Sequence, residues 1–414
     1  MRYQVLYALA LLPAYAWAAE VAVTGGASVS SSYDDNVEVA PINEISLTGF
    51  KADGFLELLY ATPLLQTTTR LTLGADRYTQ VELDSDDPQL KEPGASDFDN
   101  ERYGVSTDLT YERERHSLYF YAGFLRDSTL NTSFADGALG GRRQIEGATE
   151  IDTTIVRPGW RWQLTERQVL DTNLSAQFAD YESDLYINYD YYAVQTTWFY
   201  VLNELMQLQV RPLASRYENA AAFAITSDTY GLETGIVWLV NEKWKLNVLG
   251  GVTQVTSDFG DAGYFIFNPV TGQIEFIEVE EETNNGFTGS GELTFEEEIY
   301  GFSMNLLSNY TPSNNGYLQQ ETQARTNFYW KPQERWRLDL SAQLGETDTS
   351  GGQVNNNRTY GEAAIRVGYQ FAEQWWVSGR YRYRQQEYER NLLGSANGNT
   401  LFAEVSYRLP KEIL

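Results

Sequence analysis

A two-residue repeat in WWVSGRYRYR, Trp375 to Arg384, decides the fold. Alternate residues read Trp, Val, Gly, Tyr, Tyr in one set and Trp, Ser, Arg, Arg, Arg in the other. Successive side chains of a β-strand point to opposite faces, so the stretch predicts a strand with one aromatic, apolar face and one basic face. Because alternate residues lie about 6.7 Å apart along a strand, Arg380, Arg382 and Arg384 would form a column on the basic face.

The same alternation runs through most of the chain, for example in WRLDLSAQLG (336–345) and LFAEVSYRL (401–409). Between strands, an aromatic residue is followed four positions later by Glu in a short polar turn. The aromatic residues of this element are Trp162, Tyr200, Trp238, Trp330 and Tyr369. Strand pairs joined by tight turns at a regular spacing are typical of an up-and-down meander.

The pattern predicts an all-β fold of about eighteen antiparallel strands, with short turns at one end and long polar segments at the other. The predicted strands span residues 21–33, 46–62, 66–82, 101–112, 116–128, 150–163, 168–181, 190–201, 206–217, 227–240, 244–257, 286–297, 299–310, 320–330, 336–347, 358–371, 375–389 and 399–409. Strand boundaries within residues 258–298 are not clear from this alternation. The even count places both chain ends beside the short turns.

The first residues, MRYQVLYALALLPAYAWAAEV, have the features of an export signal. Arg2 supplies a positive start, residues 5–12 are apolar, and Ala16-Trp17-Ala18 offers a small-x-small cleavage site. The apolar run is shorter than the roughly 20 residues of a transmembrane helix. We therefore predict a signal peptide at 1–18 and one exported domain at 19–414.

Composition excludes several classes of function. The chain has a formal charge of −27, whereas a nucleic-acid-binding protein needs a basic surface. It has no Cys and one histidine, His116, which lies in the charged stretch TYERERHS. Neither a Ser/His/Asp arrangement nor a metal site built on His or Cys can be assembled from these residues. We therefore expect no enzyme, no cofactor, no metal and no nucleic-acid partner.

Two acidic runs, residues 84–101 and 275–282, hold much of the negative charge. Such runs are usually solvated loop surface. Bridging of divalent cations by clustered carboxylates is the alternative, although neither run has the spacing of an EF-hand loop.

Aromatic residues gather where strands enter the short turns. The predicted membrane-interface residues are Trp160, Trp162, Trp198, Trp238, Trp330, Trp336 and Trp375. Such rings at a fixed height on an apolar strand face are typical of a membrane interface, whereas a soluble sandwich or propeller would have a polar outward face. Only a closed barrel leaves no unpaired strand edge in lipid. The sequence thus predicts a transmembrane antiparallel up-and-down β-barrel in a bacterial outer membrane, with short periplasmic turns and long acidic extracellular loops.

The basic strand faces would then line the lumen, because an arginine facing lipid at the bilayer midplane costs about 2–4 kcal/mol. The predicted pore-lining arginines are Arg157, Arg161, Arg211, Arg325, Arg337, Arg366, Arg380, Arg382 and Arg384, and the same register adds Arg70 and Arg408. Inward acids include Glu57, Asp76, Asp108, Glu233, Glu292, Asp339, Glu362 and Glu404. Two interpretations stay open: the arginines pair with these acids across strands, or they attract an anionic solute.

The opening stretch VTGGASVSSSYDDNV, which ends with Tyr33 to Val37, resembles the putative β-barrel porin 2 family. The turns with an aromatic residue and Glu, and the closing TLFAEVSYRL, also resemble that family, so the resemblance covers nearly the whole chain after residue 18. It implies an outer-membrane barrel that takes part in exopolysaccharide export. The partners it implies are outer-membrane lipid, the barrel assembly machinery, the polysaccharide and periplasmic export components.

The residues themselves leave three functions open. An eighteen-strand barrel encloses an aqueous channel unless loops fill it, and a polar lumen would suit an exopolysaccharide. The same wall would serve a general or solute-selective diffusion porin. A structural or anchoring barrel with a filled lumen is the third hypothesis.

Overall fold

The computed structural model describes most of the chain beyond the predicted signal peptide. The described residues are 19–40, 43–84, 93–130, 149–183, 186–219, 224–260, 263–268, 273–278, 281–313, 318–349, 357–388 and 395–413. The predicted signal peptide, residues 1–18, and parts of both acidic runs lie outside the described residues. Within these ranges, no helix combines the length and the apolar character that crossing a membrane requires.

Eighteen antiparallel strands form one closed sheet, in which the first strand pairs with both the second and the last. They are β1 (Glu20–Asp34), β2 (Glu44–Ala61), β3 (Leu65–Asp84), β4 (Asn100–Glu112), β5 (His116–Ser128), β6 (Glu150–Thr165), β7 (Gln168–Tyr181), β8 (Tyr189–Asn203), β9 (Met206–Asn219), β10 (Thr226–Leu239), β11 (Trp244–Asp258), β14 (Glu282–Glu296), β15 (Tyr300–Pro312), β16 (Leu318–Gln333), β17 (Trp336–Thr349), β18 (Arg358–Ala372), β19 (Trp375–Tyr388) and β20 (Ala396–Ile413). The barrel predicted from the alternation is therefore confirmed, and β5 and β7 begin and end at the predicted residues.

A separate hairpin lies between β11 and β14, in the stretch that the sequence did not divide. It consists of β12 (Gly263–Asn268) and β13 (Gln273–Glu278), which pair with each other and not with the barrel wall. In GYFIFN and QIEFIE, apolar residues occur at both odd and even positions, so no polar face marks these strands in the sequence. β14 begins at Glu282 and not at residue 286.

The last strand is longer than predicted. β20 continues past Leu409 to Ile413 and pairs this end with β1. The register shifts between Val23 and Gly25 of β1, beside Pro410. Because proline has no N–H to give to the sheet, an irregularity at this point lets the strand continue beyond it.

Each short turn is hydrogen-bonded to the strand that follows its hairpin. The N–H of Val201 donates to the carbonyl of Arg167, and that of Leu239 to the carbonyl of Leu205, both at 2.8 Å. The corresponding donor and acceptor pairs of the other turns are Glu112 and Leu64, Gln163 and Arg115, Glu296 and Lys243, Lys331 and Ile299, Gln370 and Arg335, and Arg408 and Gln374. In five of these eight pairs, the donor directly follows the aromatic residue of the predicted turn element.

The outer surface of the wall carries a wide set of solvent-accessible apolar side chains. It includes Leu56, Leu58, Leu71, Leu73, Val194, Val248, Val252, Phe287, Leu306, Leu344 and Val405. An exposed apolar surface of this extent is unfavourable in water and favourable in lipid.

Apolar packing gathers at the strand ends away from the short turns. One cluster joins Val37, Ile45 and Leu47 to Phe98, which ends a short 3-10 helix (Ala95–Phe98) between β3 and β4. A second cluster is rich in tyrosine and consists of Ile151, Ala179, Tyr181, Tyr186, Tyr189, Tyr217, Val255, Tyr310 and Leu318. All members except Tyr186 come from strands, and these strands lie on both sides of the barrel, so the packing occupies part of this opening.

Candidate functional site in the lumen

The arginine column of β19 faces inward, and the exposure of its side chains falls along the strand. Arg380 is 39% exposed, Arg382 20% and Arg384 2%. Trp375, on the other face of the strand, is exposed on the outer surface. The column therefore runs from open lumen into closed packing, and does not form the uniform track that the alternation suggested.

Arg384 is an internal anchor. Its Nη2 donates to both carboxylate oxygens of Asp34, at 2.7 and 2.6 Å, and to the carbonyl of Asn36 at 3.2 Å. Its Nη1 donates to the carbonyl of Val37 at 3.3 Å. The structure thus corrects the expectation that Arg384 lines the pore: the segment after β1, residues 35–40, folds against it. The alternation predicted that Arg384 faces inward. It could not show that residues 35–40 fold against this side chain.

Arg380 and Arg382 of β19, and Arg366 of the neighbouring β18, keep more contact with the lumen than Arg384 does. Arg366 and Arg380 stand opposite each other on β18 and β19. Arg366 donates to Glu404 Oε1 at 2.7 Å, whereas the nearest carboxylate oxygen to Arg380 is Glu362 Oε1, at 3.7 Å. Arg382 lies 3.8 Å from Asp34. Cross-strand pairing therefore satisfies Arg366 well and Arg380 and Arg382 only weakly.

A cavity of about 710 Å³ lies in the lumen close to the short turns, and we call it the periplasmic cavity. Its lining includes Arg337, Arg366, Arg380 and Arg408, the acidic residues Glu296 and Asp339, and the inward-facing Trp376. No carboxylate of the described residues lies within ion-pair distance of Arg408. A guanidinium without such a partner can accept an anion from the lumen.

A second cavity, of about 580 Å³, is bounded by two opposite sides of the barrel. We call it the transverse cavity, because its lining comes from β3 to β7 on one side and from β15 and β16 on the other. Arg70 and Arg157 contribute from the first side and Arg325 from the second. None of the described residues that line it is acidic. A solute crossing here would meet guanidinium groups from both walls.

Two arginines of the transverse cavity, Arg70 and Arg157, have weak or uncharged neighbours. Arg70 lies over the ring of Phe55 at 4.3 Å, and its nearest carboxylate, Glu57, is 3.9 Å away. Arg157 lies 5.9 Å from the centre of the Tyr121 ring. Arg325 donates to Gln343 Oε1 at 3.0 and 3.2 Å.

The remaining predicted arginines have local partners. Arg211 and Glu233 form a close pair, with Nη2 and Oε2 2.5 Å apart, and Glu233 is buried. Arg337 pairs with Asp339 two residues further along β17, at 2.8 Å. Arg161 stands opposite Asp171 in the sheet. The positive charges of these arginines are balanced by nearby acidic residues, so they contribute less to the electrostatic field in the lumen.

One ion-pair network was missed at the sequence level. Asp76, an expected inward acid, is buried between Arg102 at 2.9 Å and Lys51 at 3.4 Å, and Arg102 also binds Asp53 at 2.7 Å. The alternation could have placed Lys51 and Arg102 on the inner face but could not show that they share one acid. Across the described ranges, no group of three or more His, Cys, Asp or Glu residues could hold a metal ion.

The aromatic residues predicted at the membrane interface lie at the short-turn end. Trp160 and Trp162 stack at 5.5 Å between ring centres, and His116 stacks on both. Trp198 packs beside Tyr200. The exposed members on the outer surface are Trp160, Trp238, Trp330, Trp336 and Trp375.

The closed wall, its apolar outer surface and its cavity-lined interior define the class of the protein. Lipid accepts a β-sheet only when no edge is left unpaired, and eighteen strands enclose more space than side chains on the wall can fill. The chain is a bacterial outer-membrane β-barrel of the channel-forming type.

Similarities to known proteins are remote. No family model matches the chain, and no curated protein matches its sequence. Among solved structures, it is similar to the copper transporter OprC, with 8% identity over 93% of this chain and 81% of that one, and a TM-score of 0.45. It is also similar to OccAB4 of Acinetobacter baumannii (10%, 94% and 98%, TM-score 0.44) and to OccK2 (OpdF) of Pseudomonas aeruginosa (9%, 94% and 98%, TM-score 0.45). At these scores the fold assignment rests on the chain's own strand pairing, and the resemblance to the porin 2 family finds no support.

Proposed function

We propose that the protein is a solute-selective diffusion porin that prefers small anions. The transverse cavity carries this proposal, since Arg70, Arg157 and Arg325 reach it from opposite walls and no described acidic residue lines it. The periplasmic cavity adds Arg380, which is weakly paired, and Arg408, which has no ion-pair partner among the described residues, whereas Arg337 and Arg366 are paired with Asp339 and Glu404. A solute on its way through the barrel passes both.

The overall charge of −27 does not oppose this preference. Loop charges act on a permeating ion through water and salt, where their field decays over a Debye length of about 8 Å. Guanidinium groups at the edge of the transverse cavity act over a few ångströms inside a low-dielectric wall, where fields are focused. Local charge therefore outweighs net charge.

The geometry favours small solutes over a polymer. The tyrosine-rich cluster takes up part of the opening at one end, and residues 35–40 are held against the inner wall at the same end. Only the sequence resemblance to the porin 2 family supports exopolysaccharide export. The cavities, in turn, count against a barrel whose whole lumen is packed.

The reversal potential of the purified protein in a planar bilayer, under a KCl gradient, tests the proposal. We expect the wild type to favour chloride over potassium, and the triple variant R70Q/R157Q/R325Q to lose most of that preference. The matched control is R113Q/R115Q/R335Q, which removes the same charge from exposed short turns. Its selectivity should stay close to that of the wild type.

Two results would overturn the proposal. A cation-selective wild-type channel would mean that acidic residues control permeation. Equal loss of selectivity in the two triple variants would mean that net charge, and not the transverse cavity, sets the preference. Heat-modifiable mobility on gels verifies that each variant has folded.

A further inference from the structure

Trp376 presents an indole to the lumen where the alternation of β19 would otherwise place polar residues. Its six-membered ring lies over Gly368, since a Cβ on that glycine would sit 3.8 Å from the Cε3 atom of the indole. Trp376 stands level with Gln370 and Ser406 in the sheet. Its indole N–H makes no hydrogen bond to the described residues. The ring therefore lies along the wall, with a flat apolar face and a free donor beside the periplasmic cavity.

Cationic groups surround this ring on the same cavity surface. Arg337, Arg366, Arg380 and Arg408 all line the periplasmic cavity together with Trp376. Arg408 has no ion-pair partner among the described residues, and Arg380 approaches Glu362 only to 3.7 Å. Arg408 follows Ser406, the residue level with Trp376, by two positions, whereas Arg380 lies four residues, about 13 Å, further along β19. Arg408 is therefore the guanidinium beside the ring that is available for a carboxylate, which arginine can bind through two parallel hydrogen bonds.

Hydroxyl groups complete the lining. The periplasmic cavity includes the polar residues Ser303, Ser341, Ser378, Ser406, Asn327 and Tyr329. Ser378 already accepts hydrogen bonds from Arg366, at 3.1 and 3.2 Å, so part of this polar surface is held in place. A wall of small hydroxyls suits a ligand that itself carries several hydroxyls.

We propose that the periplasmic cavity is a binding site for a pyranose ring that bears a carboxylate, a hexuronic acid. The apolar face of the sugar stacks on Trp376, its carboxylate binds Arg408, and its hydroxyls meet the serine-rich wall. The volume of about 710 Å³ falls within the range of about 300–1,000 Å³ that small-molecule sites occupy. This inference rests on the proposed function and names the class of solute that binds in the channel.

Calorimetric titration of the detergent-solubilised barrel tests the site without any current measurement. The probes are galacturonate, galactose, which lacks the carboxylate, and acetate, which lacks the ring. We expect galacturonate to bind more tightly than either. W376L should weaken galacturonate binding by about tenfold, as loss of an aromatic stacking partner does elsewhere. The matched control W375L changes the neighbouring outward indole and should bind as the wild type does.

A second variant keeps the test decisive if W376L fails to fold. R408Q removes a guanidinium that holds no described acid, so it leaves no carboxylate stranded, and it should weaken galacturonate binding while leaving galactose unaffected. Galacturonate that binds no better than acetate would overturn the site, even if the channel prefers anions. Tight galacturonate binding by a cation-selective channel would instead refute the proposed selectivity and leave the site intact.

Discussion

Arg384 binds the carboxylate of Asp34, a residue 350 positions earlier in the chain, with its Nη2 at 2.7 Å from one oxygen and 2.6 Å from the other. Thr400 of β20 donates to the same carboxylate at 2.8 Å. One side chain at the end of β1 thus connects the first strand of the barrel to its last two. This contact reinforces the seam where the two ends of the chain meet.

We expect R384Q to lower the free energy of unfolding by about 3–5 kcal/mol, because it leaves the buried carboxylate of Asp34 without its main partner. R380Q, the matched control on the same strand, should cost about 0–1 kcal/mol, since Arg380 is partly solvated and only weakly paired. Denaturant unfolding in lipid bilayers, followed by tryptophan fluorescence, measures both. Equal losses would show that Arg384 does not anchor the seam.

The same three arginines should differ in their effect on permeation. Because side-chain exposure falls from Arg380 to Arg382 to Arg384, R380Q should shift the reversal potential most, R382Q less and R384Q least. Bilayer recordings under a salt gradient give this order directly. If R384Q changed selectivity as much as R380Q, residues 35–40 would not shield Arg384 from the permeating ions.

The fluorescence of Trp375 and Trp376 should show which of the two faces lipid and which faces the lumen. Trp375 lies on the outer surface and Trp376 lines the periplasmic cavity. Brominated lipids quench tryptophans that touch acyl chains, so W375F should lower the fraction of fluorescence that they quench. W376F should raise that fraction. The opposite pattern would mean that Trp376 faces the lipid and Trp375 faces the lumen.

One short turn depends on an asparagine side chain. Asn241 Oδ1 accepts hydrogen bonds from the backbone N–H groups of Lys243 and Trp244, both at 2.9 Å. N241A should therefore cost about 0.5–1.5 kcal/mol of unfolding free energy. Replacing the adjacent exposed Glu242 with Ala should leave stability within experimental error. A cost for E242A equal to that for N241A would indicate that turn charge matters more than these bonds.

The sequence carried enough information to predict the barrel, because each wall strand has lipid on one side and polar groups on the other. That contrast repeats with a period of two and places boundaries well, as at β5 and β7. It is absent from β12 and β13, which lie outside the wall, so these strands were not recognised.

The candidate site was only partly predictable, for a related physical reason. Alternation places Arg325 and Arg157 on the inner face but does not reveal that they border the same cavity. Arg384 illustrates the limit: its partners are in residues 34–37, and no local pattern connects positions so far apart in the chain. Contacts across the lumen depend on closure of the barrel, which a period of two cannot encode.

The hydrogen bonds between turns and strands also imply an order of assembly. The carbonyl of Arg167, in the β6–β7 turn, receives its N–H from Val201 near the end of β8, and that of Leu205, in the β8–β9 turn, from Leu239 at the end of β10. Each hairpin is therefore completed at its turn only when the strand after it arrives, and the dependence runs from the N-terminus towards the C-terminus. Gln374 receives the last such bond, from Arg408, so β20 both completes the final hairpin and supplies the edge to which β1 must pair. Hairpins added in chain order would leave closure of the cylinder as the last event of folding.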